Sequence, residues 1–401
     1  MTHSLKQILV QASSRSWSGG RDLCVNPLDG VPVILRTIER LAEAFPTVGL
    51  TIIAPEFDRG GELDAIVKNG AYQINVYYGD DASPLNRMVN VTVGLREEDL
   101  VLRVDGLNFC VDIQAAASMV KMATTSGADC VKLPDDFPVQ FTSDVYRVSA
   151  LRKAAACIGD SEDAFKVHPK YFMFREKGLF HCARLLDVAR YDDSYLQQCR
   201  EQAESIYAEP RQEVNKNKIK VGDQLTFHYE LASEYVGSGD YVLDIACGEG
   251  YGSRLLAKCA EKVIGADIDN GSIKIAEEKS VGLKNLTFFR QDVTKTTFED
   301  HAFDVVVSME TIEHVPEEPY FNEIKRILKR NGIFILSTPQ NSLGHIPINA
   351  AHLREYSLDG LISACRQYFS VEKVIGLKQG RIIIDGDPIG TNAMVVCRNT
   401  V

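Results

Sequence analysis

The amino-acid sequence predicts an α/β protein built from two doubly wound domains, and three observations support this prediction. The chain has 401 residues, which is more than one ordinary hydrophobic core organises. In both halves, short apolar runs of strand length alternate with helical patterns of about ten to fifteen residues. A polar run separates the halves, so we expect domains at residues 1–190 and 223–401, joined by a helical arm and linker at 191–222.

Composition and charge narrow the classes of function. Hydrophobic residues make up 45% of the chain and charged residues 25%, as in ordinary globular proteins. The net charge of −11 disfavours a nucleic-acid partner. No apolar run approaches the roughly 20 residues that span a bilayer, and polar residues interrupt any signal-like segment near residue 11. The ten cysteines form no CxxC pair, which favours reduced thiols. We therefore expect a cytoplasmic protein without a membrane span.

The first half is predicted to contain a parallel sheet. Helical spacing over about residues 34–41, 61–68 and 113–126 separates apolar runs of strand length. The predicted strands are Gln7–Ala12, Leu50–Ala54, Ile74–Tyr78, Leu100–Val104 and Cys130–Leu133.

Residues 5–180 resemble the cytidylyltransferases that make CMP-activated sugars, in particular those of the spore-coat-polysaccharide type. The matching motifs are the Ile8–Ala12 strand, the Ser/Arg/Gly loop that runs to Leu23, Leu85-Asn86-Arg87 and Arg103-Val-Asp-Gly106. The resemblance implies a nucleotidyltransferase-like domain that binds CTP or a nucleotide-sugar. The residues that it places at the nucleotide are Gln11, Ala12, Arg15, Arg21 and Asp105.

Three departures from that family favour a degenerate domain. Ser13 stands where the family has its first loop arginine, and Arg21 stands at its phosphate-binding lysine. The family's magnesium-binding aspartate falls at Leu107, which cannot hold Mg²⁺. Asp105 could replace it as a metal ligand only if the loop is rebuilt, and otherwise it is a solvated loop acid. A bifunctional enzyme that uses CTP and Mg²⁺ stays open as the alternative.

The second half is organised around Tyr241–Gly252. An apolar strand is followed by Gly248, Gly250 and Gly252, and then by helical spacing from Leu255. Glycines at a strand-to-helix junction let the backbone approach a ligand closely, and the helix start offers N–H donors. This is the geometry of a nucleotide site at the carboxyl end of a parallel strand.

Two acids after the following strands extend that site. Asp267 lies 19 residues beyond Gly248, close to the roughly 20 expected between a glycine turn and a ribose-binding acid. Its alternative role, capping the next helix, is shared with Asp269. Asp292 follows the third strand and can accept from an adenine amino group, with Val293 packing on the ring. The predicted strands of this half begin at residues 241, 262, 286, 303, 332, 371 and 393, and the last two form an antiparallel edge pair.

These motifs and their order resemble the class I S-adenosylmethionine-dependent methyltransferases over residues 225–401. The resemblance implies a Rossmann-like seven-stranded domain with S-adenosylmethionine as the cofactor. It places nine residues at the cofactor: Asp244, Ala246, Gly248, Gly250, Asp267, Ile268, Asp292, Val293 and, through its backbone, Glu310. The His352-Leu-Arg-Glu-Tyr356 segment is similar to a subgroup found in surface-polysaccharide gene sets.

His314 and His352 are the candidates for a general base toward an acceptor hydroxyl. Their alternatives are a structural role in the loop after the fourth strand and a supporting or surface role, respectively. We expect a methyltransferase that acts on a sugar, nucleotide-sugar or polysaccharide precursor. A quinone-type or natural-product methyltransferase with a non-catalytic first domain is the alternative, and a homo-oligomer stays open.

Overall fold

The computed structural model describes residues 5–15, 21–70, 72, 74–188, 191–207, 224–343, 346–347, 349 and 351–400. The chain divides into two compact units, Met1–Lys218 and Ile219–Val401. Of the predicted helical arm and linker, 191–222, residues 208–222 lie outside the described residues.

The first unit is built on a seven-stranded sheet in the order β5-β4-β1-β6-β8-β7-β9. Its central strands β1, β4 and β6 supply fully buried residues such as Ile8, Ile52 and Leu102. The strands are β1 (Leu5–Gln11), a small ribbon of β2 (Pro27–Leu28) and β3 (Val31–Pro32), β4 (Gly49–Pro55), β5 (Asn75–Gly79), β6 (Leu100–Asp105), β7 (Cys130–Lys132), β8 (Asp144–Arg147) and β9 (Cys182–Arg184). The helices are α1 (Val33–Ala44), α2 (Glu62–Lys68), α3 (Pro84–Val91), α4 (Ile113–Ser126), α5 (Val148–Cys157), α6 (Asp163–Val167), α7 (Pro169–Arg175) and α8 (Asp193–Tyr207).

The prediction of an all-parallel first sheet is wrong. Strand β8 pairs antiparallel with both β6 and β7, so the sheet is mixed. This strand carries Asp144 and Arg147, and both are buried. Asp144 is surrounded by the cations Arg103, at 3.3 Å, and Lys170, at 2.9 Å. A buried ion cluster lacks the apolar pattern from which strands are recognised, which is why the sequence did not reveal β8.

The polar run predicted as a helical arm contains helix α8, which packs within the first unit. Its apolar side is buried through Leu196, Cys199, Ala203 and Ile206. The Arg40 guanidinium lies 3.5 Å from the Tyr195 hydroxyl, and the Cys199 and Cys110 sulfurs are 3.2 Å apart. All ten cysteines are free thiols.

The second unit contains seven strands in the order β12-β11-β10-β13-β14-β16-β15. Neighbours from β12 to β14 pair in parallel, and β16 pairs antiparallel with both β14 and β15. The predicted antiparallel edge pair is therefore confirmed. The strands are β10 (Tyr241–Ile245), β11 (Lys262–Asp267), β12 (Leu286–Arg290), β13 (Phe303–Met309), β14 (Leu328–Pro339), β15 (Ser370–Leu377) and β16 (Asn392–Arg398). The helices are α9 (Gln224–Ser233), α10 (Tyr251–Leu256), α11 (Asn270–Lys279), α12 (Glu317–Ile327) and α13 (Leu358–Arg366).

Because β10 to β13 are parallel neighbours, their carboxyl ends lie along one edge of the sheet. Four of the predicted motifs follow these strand ends: the glycine loop, Asp267, Asp292 and Glu310. Helix α10 is only six residues long and starts at Tyr251, ahead of the helical spacing predicted from Leu255. Among the described helices, none is both long enough and apolar enough to cross a bilayer.

Candidate active site

The glycine loop after β10 has a backbone that ordinary side chains tolerate poorly. Ala246, Gly248 and Gly250 have φ angles of 60°, 53° and 71°. A Cβ atom at Gly250 would lie 2.7 Å from the Phe288 ring, whereas one at Gly248 would meet nothing within 4 Å. Gly250 is therefore required by both conformation and space, and Gly248 by conformation alone. Ala246 holds a left-handed conformation with a side chain present, a strain found often at functional sites.

Asp244 is a buried anchor beneath this loop. Its carboxylate is fully buried and accepts hydrogen bonds from the Tyr229 hydroxyl at 3.1 Å and the Ser253 hydroxyl at 2.5 Å. Tyr229 belongs to α9 and Ser253 to α10, so Asp244 ties both helices to the end of β10. Burial raises the pKa of Asp244 to about 7.

Asp267 holds the glycine loop at the end of β11. Its Oδ2 accepts from the Gly248 N–H and its Oδ1 from the Asp269 N–H, both at 2.8 Å. The helix-capping role belongs to Asp269, whose Oδ2 accepts from the Ser272 N–H at 2.7 Å. The side chain of Ile268 between them is 60% exposed. Each Asp267 oxygen accepts one backbone bond and has a second lone pair for a ligand hydroxyl.

The side chains of Asp292 and Val293, just after β12, have different environments. Asp292 is exposed, and its Oδ1 accepts from the backbone N–H and the hydroxyl of Thr294 at 2.8 and 2.7 Å. Val293 is buried within the same apolar cluster as Ile245 and Ala266. The pair therefore forms a turn with its acid toward solvent and its apolar side chain in the core.

Glu310 lies at the centre of a polar cluster that sequence reasoning missed. Its φ is 50°, its Oε1 accepts from the Ser337 hydroxyl at 2.7 Å, and its Oε2 accepts from the Asn392 amide at 2.8 Å. The His228 Nδ1 atom lies 2.9 Å from the Ser337 hydroxyl, and burial lowers the His228 pKa. These partners come from α9, β14 and β16, so no local motif in the sequence could have associated them with Glu310.

The structure brings the two predicted histidines together. The rings of His314 and His352 are 4.8 Å apart between centroids and nearly perpendicular, at 83°. His314 follows β13 and is partly exposed, whereas His352 is buried. Glu313 directly precedes His314 in the chain; it is 1% exposed and accepts from the Thr338 hydroxyl at 2.8 Å.

In the first unit, three of the residues around the predicted nucleotide site meet at the ends of β1 and β6. The Gln11 amide oxygen accepts from Arg103 at 3.2 and 2.9 Å, and Arg103 lies 3.6 Å from Asp105. Ala12 is buried beside them. The Asp105 Oδ1 atom accepts from the Leu107 N–H at 3.2 Å. Among the described residues, Asp105 belongs to no group of three potential metal ligands.

The two loop arginines of this unit are held by other partners. The Arg15 guanidinium lies over the Phe57 ring at 4.8 Å. Arg21 pairs with Glu62 on α2 at 2.5 Å, and it also reaches the Val25 carbonyl at 3.4 Å. The predicted phosphate-binding loop between them, residues 16–20, lies outside the described residues. Gln11, Arg103 and Asp105 thus lie close together, whereas Arg21 pairs with Glu62.

Comparisons with known proteins concern the second unit. Residues 243–336 match the family model described as a methyltransferase domain. A "Probable S-adenosylmethionine-dependent methyltransferase/" of Mycolicibacterium smegmatis is 32% identical over 36% of this chain and 57% of its own length. Phosphoethanolamine N-methyltransferase 1 of Zea mays is 38% identical over 25% of this chain and 20% of its own length. The chain thus spans about half, or less, of the length of these relatives.

Solved structures are also similar to part of this chain. The PH0226 protein of Pyrococcus horikoshii is 23% identical and covers 48% of this chain and 97% of its own, with a TM-score of 0.38. From the match of residues 243–336 and the named relatives, the second unit contains a class I S-adenosylmethionine-dependent methyltransferase domain, and its cofactor is S-adenosylmethionine.

Proposed function

We propose that the protein transfers the methyl group of S-adenosylmethionine to a hydroxyl of a sugar, nucleotide-sugar or polysaccharide precursor. The observation that supports the transfer activity is a clamp at the carboxyl edge of the sheet: the Gly248 N–H donates a hydrogen bond to the Asp267 carboxylate. This clamp sets a carboxylate at the end of one strand against the glycine loop at the end of its neighbour. That juxtaposition is the arrangement in which doubly wound sheets bind nucleoside ligands.

Each side chain at this edge has a proposed role in holding the cofactor. Asp267 accepts from the ribose hydroxyls and Asp292 from the adenine amino group. Ile268 and Val293 flank the adenine ring, and the Ala246–Gly250 backbone lies against the methionine end. Glu310 contributes through its backbone, while Asp244 positions the loop from below. The bound cofactor supplies an electrophilic methyl group, and the protein aligns the acceptor and excludes water.

His314 and His352 are the proposed proton acceptors for the substrate hydroxyl. His352 is oriented by Glu355, whose Oε1 atom lies 2.7 Å from its Nδ1. The His314 Nδ1 atom lies 2.9 Å from the Ala351 carbonyl. Anchoring Nδ1 fixes the tautomer and leaves Nε2 as the proton-accepting nitrogen of each ring. On His352 the substrate hydroxyl would displace the Asn349 amide, which lies 2.9 Å from Nε2.

The polar side chains around these histidines support a sugar-like methyl acceptor. Glu313, Thr338, Asn341 and Glu355 are described side chains with hydrogen-bonding groups in the immediate surroundings of the pair. These groups already pair with one another, and a hydroxyl-rich acceptor can exchange hydrogen bonds with them, whereas an apolar acceptor cannot. This favours a sugar-like acceptor over the quinone-type alternative. A relative from Mycobacterium leprae is named as a phthiotriol/phenolphthiotriol dimycocerosates methyltransferase, so the range of acceptors among relatives is wide.

For the first unit, we propose a nucleotide- or nucleotide-sugar-binding module without cytidylyltransferase activity. Leu107 at the family's metal position and the engagement of Asp105 by Arg103 and the Leu107 N–H support this. CMP-sugar formation from CTP and Mg²⁺ by the intact protein, lost in an Asp105→Ala variant, would instead establish the bifunctional alternative.

Calorimetric titration of S-adenosylmethionine tests the cofactor site. Asp267→Ala should weaken binding by about 1 kcal/mol or more, because it removes a charged acceptor of hydrogen bonds. Asp269→Ala is the matched control: it removes a helix cap two residues away and should cost stability but not affinity. Equal affinity in the Asp267→Ala variant and the wild-type protein would refute the ribose assignment.

The acceptor is best found by a methyl-transfer screen over nucleotide sugars, free sugars and oligosaccharides, read by a mass increase of one methylene. Ubiquinone-like phenols and phosphoethanolamine serve as the competing acceptor classes. Turnover with phenols but not with sugars would overturn the acceptor class, while leaving the cofactor site intact.

A further inference from the structure

We propose that Glu313, His314 and His352 form a binding site for a divalent transition-metal ion of the zinc class. Glu313 and His314 lie on the short 3₁₀-helix Ile312–His314 that follows β13, and His352 lies in the segment before α13. One ligand atom from each side chain lies within 4.8 Å of the other two. The three side chains thus converge on one point from two separate segments.

The distances are compatible with coordination after small side-chain movements. Three atoms 4.8 Å apart lie at most about 2.8 Å from a common centre, and zinc bonds to nitrogen or oxygen measure about 2.0–2.2 Å. Each ligand atom would therefore move by less than about 1 Å, which a rotation of the imidazole and carboxylate groups provides.

The groups behind the three ligands are those that orient metal-binding histidines. The His314 Nδ1 atom lies against the Ala351 carbonyl and the His352 Nδ1 atom against the Glu355 carboxylate, so both rings would coordinate through Nε2. The second Glu355 oxygen accepts from the Asn341 amide at 2.7 Å. The metal would replace the Asn349 amide, which now lies 2.9 Å from the His352 Nε2 atom.

The charge around Glu313 also favours a cation. Its carboxylate is buried, and two further acids, Glu310 and Glu355, lie close enough to repel it. The Glu313 Oε1 atom lies 3.9 Å from the His314 Nε2 atom. A buried carboxylate beside two other acids is costly, and a divalent ion would neutralise it.

The donor set selects the metal. Two imidazoles and one carboxylate suit zinc and neighbouring transition metals, whereas Mg²⁺ and Ca²⁺ take oxygen ligands. Three protein ligands leave a fourth position for a water or an acceptor hydroxyl, whose pKa the metal would lower. In the metal-bound protein the two histidines would act as ligands, and the metal would replace them in activating the hydroxyl. This catalytic use rests on the proposed methyl transfer, but metal binding itself does not.

Metal titration of the full-length protein tests the site. The protein is purified without a histidine tag, treated with a chelator, and titrated with Co²⁺ by visible absorption and then with competing Zn²⁺. We expect one equivalent to bind, with His314→Ala weakening binding by more than about 100-fold, beyond the 10–100-fold effect of a supporting residue. His314 is partly exposed, so this variant should fold.

Two further variants make the result specific. Glu355→Gln keeps an acceptor for His352 and should weaken metal binding by about 10–100-fold. His181→Ala removes an exposed histidine of the first unit and should bind Co²⁺ like the wild-type protein. S-adenosylmethionine affinity, measured on the same samples, reports separately on the cofactor site. Unchanged Co²⁺ binding in His314→Ala, or the absence of stoichiometric binding to the wild-type protein, would overturn the proposal.

Discussion

At the scale of single residues, Asp244 shows how one carboxylate can support a cofactor loop from the core. It receives two hydroxyl hydrogen bonds from different helices, yet burial raises its pKa to about 7. The protonated form is an isostere of asparagine, with one donor and one acceptor side. The anchor therefore works as a neutral group over the lower part of the physiological pH range.

This carboxyl group should make the second unit less stable as the pH rises. Its folded-state pKa of about 7 exceeds the unfolded value of about 3.9, so its contribution is full below pH 4 and is lost as the pH rises through 7. Between pH 5 and pH 8, the wild-type free energy of unfolding should fall by about 2–3 kcal/mol relative to Asp244→Asn. Urea unfolding at several pH values measures this difference. Parallel pH curves for the two proteins would contradict it.

At the scale of elements, helices α9 and α10 approach each other at Gly252. A Cβ atom at this position would lie 2.1 Å from the Tyr229 ring. Tyr229 cannot retreat easily, because it is buried and its hydroxyl is bonded to Asp244. The glycine therefore sets the distance between the two helices and, through Tyr229, the support of the cofactor loop.

Alanine substitutions at three glycines should separate crowding from backbone strain. Gly252→Ala should cost about 1–3 kcal/mol of stability through overpacking and weaken S-adenosylmethionine binding. Gly248→Ala should cost about 1–2 kcal/mol through its positive φ alone. Gly239→Ala, which meets nothing within 4 Å, should change stability by less than about 0.5 kcal/mol. Chemical denaturation gives all three values, and equal effects at Gly252 and Gly239 would refute the crowding explanation.

Strand β8 in the first unit depends on a buried ion cluster. Nearby Lys170 and Arg103 hold the pKa of the Asp144 carboxyl below its usual value despite its burial. Removing the acid takes the counter-charge from Lys170 and leaves Arg103 with Asp105, at 3.6 Å, which is more costly than never having buried the cluster.

We therefore expect Asp144→Ala to destabilise the first unit by about 3–5 kcal/mol. Asp160→Ala removes an exposed acid that pairs with Lys166, and it should cost less than about 1 kcal/mol. Thermal unfolding followed by circular dichroism compares the two variants. A mild effect at Asp144, similar to that at Asp160, would show that the cluster does not stabilise the sheet.

At the scale of the whole molecule, the chain consists of two compact units, and each has its own seven-stranded sheet. The described residues proposed to hold S-adenosylmethionine all come from the second unit. A unit with its own core is expected to fold alone.

A fragment of residues 219–401 should therefore bind S-adenosylmethionine within about twofold of the full-length affinity. Calorimetry on the fragment and the full chain measures this, with a denaturation curve to establish that the fragment folds. A folded fragment that no longer binds the cofactor would place part of the site in the first unit.

Sequence reasoning was most successful where function follows locally from the end of a buried strand. The strand starts at Lys262 and Leu286 were predicted as observed. The glycine loop, Asp267 at the end of its strand and Asp292 just beyond the next strand were also predicted. This succeeded because hydrophobic periodicity and glycine spacing depend on burial and backbone conformation within a few residues. The assignment of the second half to the methyltransferases rested on the order of these motifs along the chain.

Only the tertiary structure decided which distant side chains meet. It added the antiparallel strand β8 to the first sheet, and the burial of Asp144 on that strand depends on Arg103 and Lys170 from other elements. It joined Glu310 to Ser337 and Asn392, and it brought His352 against His314. Such contacts depend on strand order and loop return, and no pattern within a few residues encodes them. The sequence by itself therefore determined the type of cofactor site, and the fold determined which charges and imidazoles surround it.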